Sequence, residues 1–196
     1  GTIWNNVYRL LKPYFEEETG QAFVAGIKVL VEVSVEFHEL YGYSLTVLNI
    51  DPTYTLGDMA RRRREILKQL DEEGVLTLNK ELELPLLTQR IAVISSATAA
   101  GYGDFCNQLE HNPYGFVFYP RLFPAVMQGD RVEETIIAAL DTINARRDDW
   151  DVVVIIRGGG ATSDLSGFDT YDLAANCAQF PLPVITGIGH ERDDTV

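Results

Sequence analysis

The 196-residue chain carries 29 acidic against 16 basic side chains, a net charge of −13 that argues against a simple basic nucleic-acid binder. Its content of 46% hydrophobic and 23% charged residues is that of an ordinary globular protein, with room for one good domain or one domain plus a fragment. No apolar run reaches the length of a membrane span and no basic-then-apolar leader opens the sequence, so no membrane contact is expected, and the two cysteines, without a disulfide framework, are those expected of a cytoplasmic protein.

Residues 1–20 give no clear element: Trp4, Val7, Leu10 and Leu11 have helical spacing, Pro13 interrupts it, and Glu16 to Glu18 reads as a solvated turn. From Ile27 the pattern alternates strictly. Ile27, Val29, Val31, Val33, Val35 and Phe37 face one way, which predicts a long half-exposed strand. Tyr41-Gly42 makes the turn, and Tyr43, Leu45 and Val47 return as a hairpin partner. Two strands alone are marginal in water, so residues 1–56 form a partial antiparallel segment whose unpaired edges invite self-association. Asp51-Pro52 marks a boundary, and Thr55 with Asp58 is a loose capping signal for a helix to about Glu73, stopped by Gly74. Arg61 to Arg64 spread around that helix and cannot share one face. Arg63 falls on the apolar side, where it is expected to snorkel or to face a domain junction.

Residues 57–196 then alternate between strand and helix. The predicted strands are Ile91–Ser95, Phe116–Tyr119, Val152–Ile156 and Pro183–Thr186. The predicted helices lie around Phe105–Leu109, from Arg131 to Arg146, and through Leu173–Ala178. Val132, Ile136, Leu140 and Ile143 form one stripe of the second helix. This predicts an α/β fold: a parallel four-stranded sheet with helices on both faces, Rossmann- or flavodoxin-like. Cys106 and Cys177 sit among apolar helical neighbours and read as reduced core thiols.

Ligands of open parallel sheets bind beyond the carboxyl ends of the strands. That rim holds Ser95, Ser96 and Asp104 after the first strand, Gln128 and Gly129 after the second, Arg157 with Gly158, Gly159 and Gly160 after the third, and His190 with Asp193 after the fourth. Three glycines beside a guanidinium suit an anion, although the same glycines also suit a plain strand-to-helix turn. His190 and Asp193, three apart, suit proton transfer with a carboxylate fixing the imidazole; a helix-start histidine capped by an acid is the structural alternative. Asp104 and Asp164 each have an N-cap reading as well. Asp104, Asp164 and Asp193 are carboxylates of the kind Mg²⁺ takes, whereas no zinc spacing, P-loop or dinucleotide fingerprint is present.

The segments EGVLTLNK, IAVISSATAAGYGD, the YP and MQG elements, RGGGATSDLSGF and PVITGIGHERD resemble, in that order, the large subunit of exodeoxyribonuclease VII. The resemblance runs from about Ile27 to Val196. It implies that residues 1–56 hold the late strands of an OB-fold that grips single-stranded DNA, and that residues 57–196 hold most of a catalytic domain. It implies exonucleolytic hydrolysis of single-stranded DNA from either end, with catalytic positions on Asp104, Arg157, His190 and Asp193; phosphate contacts are expected from the rim residues Gly158, Gly159, Gly160, Ser95, Ser96 and Gln128. Small subunits would be recruited by a C-terminal region beyond Val196. Ala161 stands where the family carries a serine. A chain cut within the OB-fold and before that region is expected to have little exonuclease activity of its own. Two rivals remain open from the residues alone: a non-catalytic single-strand-binding or scaffold module, and an enzyme acting on a small phosphorylated metabolite.

Overall fold

The computed structural model describes residues 1–40, 42–158, 165–189 and 195–196. The chain divides into two compact units: residues 1–62 form the first, and the described residues from Arg63 onward form the second.

The first unit opens with helix α1 (Asn5–Thr19), followed by strands β1 (Leu30–His38) and β2 (Gly42–Asp51) and the start of helix α2 (Pro52–Glu72). The α1 helix corrects the expectation for residues 1–20, because it continues straight through Pro13. Proline costs an interior helix about 3 kcal/mol or more. Burial offsets it: Leu11 and Phe15, on either side of Pro13, are buried against Val47 and Ile50. Trp4 and Leu10, which share the helical spacing, are instead exposed. The helix ends at Gly20, whose φ of 66° is the left-handed conformation glycine accepts, with its N–H bonded to Glu16 O at 3.0 Å.

Strands β1 and β2 pair antiparallel as expected, with a register shift that leaves Leu48 between the Val33↔Val47 and Glu32↔Asn49 pairs. This bulge explains why Val47 and Ile50, three apart, both face the core. The apolar face of β1 is not uniform: Val31 and Val33 pack on the core while Val35 and Phe37 are exposed, Phe37 lying 5.1 Å from the ring of Tyr43. Thr2 bridges to the other side of β2, donating to Leu45 O and accepting from Val47 N. The start of α2 is capped by Asp51, which accepts from Thr53 N at 2.9 Å, with Pro52 in the first helical position. Thr55 is therefore no cap; its hydroxyl donates to Lys28 O.

The second unit continues with β3 (Arg90–Ser95), α3 (Ala100–Glu110), β4 (Tyr119–Pro124), α4 (Val132–Asn144), β5 (Val152–Ile156), α5 (Tyr171–Ala178) and β6 (Val184–Gly187). The four strands are parallel in the order β4-β3-β5-β6, the α/β sheet read from the sequence. Strands β3 and β5 are buried on both faces. Ala92, Ile94, Val153 and Ile155 meet the α4 stripe Val132, Ile136, Leu140 and Ile143, together with Leu173 of α5. Ile91, Val93, Val152, Val154 and Ile156 meet Tyr102, Phe105 and Leu109 of α3 on the opposite face. Burying a side chain such as Ile136 contributes about 1.5–3 kcal/mol.

The second strand begins three residues later than the predicted Phe116–Tyr119 and ends at Pro124. Tyr119 N donates to Gln89 O and Ala125 N to Ser95 O, so odd-numbered residues of β4 aim their N–H groups at β3. Pro120 and Pro124 then fall on the outward positions, where β3 needs no donor. On the opposite margin Asn79 accepts the outward N–H of Val184 at 2.9 Å and donates to Phe180 O and Leu182 O. No described helix is long and apolar enough to cross a membrane.

Candidate active site

The strand order makes a crevice. From β3 the chain moves to β4 on one side, and from β5 it moves to β6 on the other. The loops leaving the carboxyl ends of β3 and β5 therefore part at the sheet centre, where ligands of this architecture bind. Arg157 leaves β5 there, its N–H donating to Gly187 O of β6 at 3.0 Å. Arg157 is half-buried, and its guanidinium lies over the Phe168 ring, 6.0 Å from the centroid, an orienting cation–π contact.

Gly158 meets the first turn of α3. A Cβ there would stand 3.2 Å from Ala100 N and 3.4 Å from Gly101 N. Reciprocally, a Cβ on Gly101 would stand 3.2 Å from Arg157 O and from Gly158 Cα. The missing side chains at both positions let the helix start seat directly on the backbone beyond β5. The N-cap residue, Ala99, supplies no side-chain cap to α3, so the positive end of the helix faces this backbone without a capping oxygen of its own. The loop after β4 joins through another pair: a Cβ on Gly167 would lie 2.9 Å from Gly129 O. Gly129 itself has a φ of 81°, which a side chain would strain.

Among the nominated polar residues, Ser95 is fully buried and its Oγ donates to Ile156 O at 2.7 Å, joining the ends of β3 and β5 beneath the rim. Ser96 is half-buried, with its Oγ 3.1 Å from Thr98 Oγ1 and accepting from Thr98 N. Asp104 is an exposed residue inside α3, one turn beyond its start, so its N-cap reading is corrected. Gln128 is exposed beside Gly129 on the loop after β4. Gly159, Gly160, Asp164, His190 and Asp193 lie outside the described residues. The described loops after β3, β4 and β5 thus meet through glycine contacts.

Two neighbouring residues were not legible as site residues. Phe168 ends the 3₁₀ turn Ser166–Phe168 under Arg157. Asp169 follows it, accepting from Arg63 Nη2 at 3.0 Å and from Val196 N at 2.8 Å. Burial pushes the Asp169 carboxyl above its ordinary range even against these two donors. The one available signal was Arg63 on the apolar side of α2, expected to snorkel or to face a domain junction, with no acid paired to it. Arg61 and Arg62 pair with Asp58, in keeping with a solvated ion-pair face.

Among the described residues no group of three or more His, Cys, Asp or Glu side chains is placed to hold a metal. Of the carboxylates nominated for Mg²⁺, only Asp104 is described, a single exposed side chain. That donor set does not by itself form a metal cage.

A family model described as exonuclease VII, large subunit, matches residues 75–196. A Deinococcus radiodurans protein named exodeoxyribonuclease 7 large subunit is 37% identical, over all of this chain and 48% of its own length. Proteins of the same name from Lactobacillus johnsonii and a Nostoc species are 34% and 33% identical. They match 87% and 88% of this chain and 37% and 41% of their own lengths. The chain thus spans about half the length, or less, of these curated relatives.

Proposed function

This chain belongs to the exonuclease VII large-subunit family, and from that premise we propose that residues 57–196 form the catalytic body of a nuclease that hydrolyses phosphodiester bonds in single-stranded DNA. The full polypeptide works from either DNA end and releases oligonucleotides. Residues 1–56 belong to a single-strand-gripping module of OB-fold type. Small subunits attach through a region beyond Val196, and the assembly works in the cytoplasm.

One observation carries this reading: Arg157 and the first glycine of its run lie at the central crevice of the sheet, against the uncapped start of α3. Backbone N–H groups at a helix start together with a guanidinium are a fitting receptor for a phosphodiester. In the proposed reaction His190 takes a proton from the attacking water while Asp193 orients the imidazole; as the water oxygen bonds to phosphorus the bond to the leaving nucleotide oxygen breaks, and that oxygen takes a proton from solvent. Arg157 and the N–H groups of Gly158, Gly159 and Gly160 stabilise charge growing on the phosphoryl oxygens. Asp104 positions the water, and Ser96 and Gln128 flank the phosphate. Ser95 acts from below, holding the ends of β3 and β5 together.

The test uses the full-length polypeptide with its small subunits and end-labelled DNA, single-stranded and duplex, with and without chelator. Shortening of the single strand from either label is expected. His190→Ala should lower the rate by about 10²–10⁴-fold while retaining DNA binding. Retardation of DNA without shortening would select a binding module instead.

A further inference from the structure

We propose that Asp169 is a positioning residue for the rim: its carboxylate ties helix α2, the segment after β5 and the chain following the His190–Asp193 stretch into one register. The proposal rests on the functional reading above for its kinetic consequence, but not for the contact itself.

Three distant stretches of the second unit meet at this one side chain. Arg63 comes from α2, Asp169 directly follows Phe168, and Val196 lies three residues beyond Asp193. The carboxylate is well shielded, with 12% side-chain exposure against 29% for Arg63. Both of its oxygens are engaged, Oδ2 by the guanidinium and Oδ1 by the Val196 N–H. The preceding residue supplies the ring over which Arg157 lies. A shift of Asp169 would therefore be felt at Arg157 through one peptide unit, and at Val196, three residues beyond Asp193 in sequence, through one hydrogen bond.

The charge is not what the site needs most. Among the described residues Arg63 is the charged group facing Asp169, and burial still pushes the carboxyl above its ordinary range. An asparagine keeps one neutral oxygen that can accept the Val196 N–H, which alanine cannot. The asparagine NH2 cannot accept from Arg63, so the tie to α2 is lost in both variants and only the Val196 contact separates them. This separates anchoring from mere folding: the two variants should keep similar thermal stability and differ in what they hold.

The experiment compares Asp169→Ala and Asp169→Asn in the full-length polypeptide with its small subunits. Amide hydrogen exchange at Val196 should accelerate in the alanine variant and return towards the parent rate in the asparagine variant. The alanine variant should lose roughly 10- to 100-fold in kcat on single-stranded DNA, the scale of a small misplacement of reacting groups, with KM little changed. The asparagine variant should recover most of that loss. Unchanged Val196 exchange in the alanine variant would overturn the anchor. Unchanged kcat, or an asparagine variant as poor as alanine, would overturn the positioning role. If the parent shortens no DNA, the functional reading fails, while the exchange measurement still decides the anchor.

Discussion

At the residue scale, Asp151 does for the entry of the parallel sheet what a cap does for a helix. Standing just before β5, it accepts the backbone N–H groups of Gln89 and Arg90 at 2.9 and 2.8 Å and the Nε–H of Arg90 at 3.0 Å. Burial alone would raise its carboxyl, but the Arg90 side chain and these two backbone donors overcome burial and lower it. A lowered folded value means that the stabilisation is present above the ordinary carboxylate value of 3.8 and is lost as pH falls through the folded value. Asp151→Asn should therefore weaken the chain at neutral pH by about 1–3 kcal/mol, the scale of charge-assisted hydrogen bonds. It should also flatten the loss of stability below about pH 4. Melting temperatures of both proteins from pH 7 to pH 3 check this; parallel curves would remove Asp151 from the account. Nothing in the sequence singles out Asp151 from Asp148 and Asp149, because its mates at residues 89 and 90 are about sixty positions away.

At the scale of elements, the seating of α3 on the β5 loop is the contact most open to test. Gly158→Ala would push a methyl to within 3.2 Å of Ala100 N, a backbone atom that cannot rotate aside. The expected cost is about 1–3 kcal/mol, as for overpacking elsewhere, read from chemical denaturation. A substitution without effect would mean that α3 slides freely over the loop. Where local pattern and tertiary use agree, the elements were legible: Val152–Ile156 is an unbroken apolar run because β5 is buried on both faces, and the α4 stripe is buried at all four positions. Three departures have physical causes. Helix α1 was hidden by Pro13, whose cost is offset by the burial of Leu11 and Phe15. The β2 register was hidden by a bulge that alternation cannot show. Strand β4 was displaced because Tyr119-Pro120 resembles a strand end when the direction of each N–H is unknown. For the site, the crevice and its strand-end loops followed from topology, whereas the contacts of Phe168 and Asp169 depend on residues remote in sequence.

At the scale of the whole molecule, the margins of its sheets are unlike. The hairpin leaves Val35, Phe37 and Tyr43 exposed. The parallel sheet is guarded at β4, where of the three outward positions 120, 122 and 124 only Leu122 retains an N–H to offer a newcomer. Restoring the two missing donors with Pro120→Val and Pro124→Val leaves the contacts to β3 intact but gives the margin a full row of hydrogen-bonding groups. On slow heating the doubly substituted chain should cloud at a lower temperature than the parent, with a stronger dependence on protein concentration. Equal clouding curves would show that another surface nucleates the process. If the curves differ, the two prolines act as fences: they keep a hydrophobic sheet sociable within its own polypeptide and solitary in a crowd.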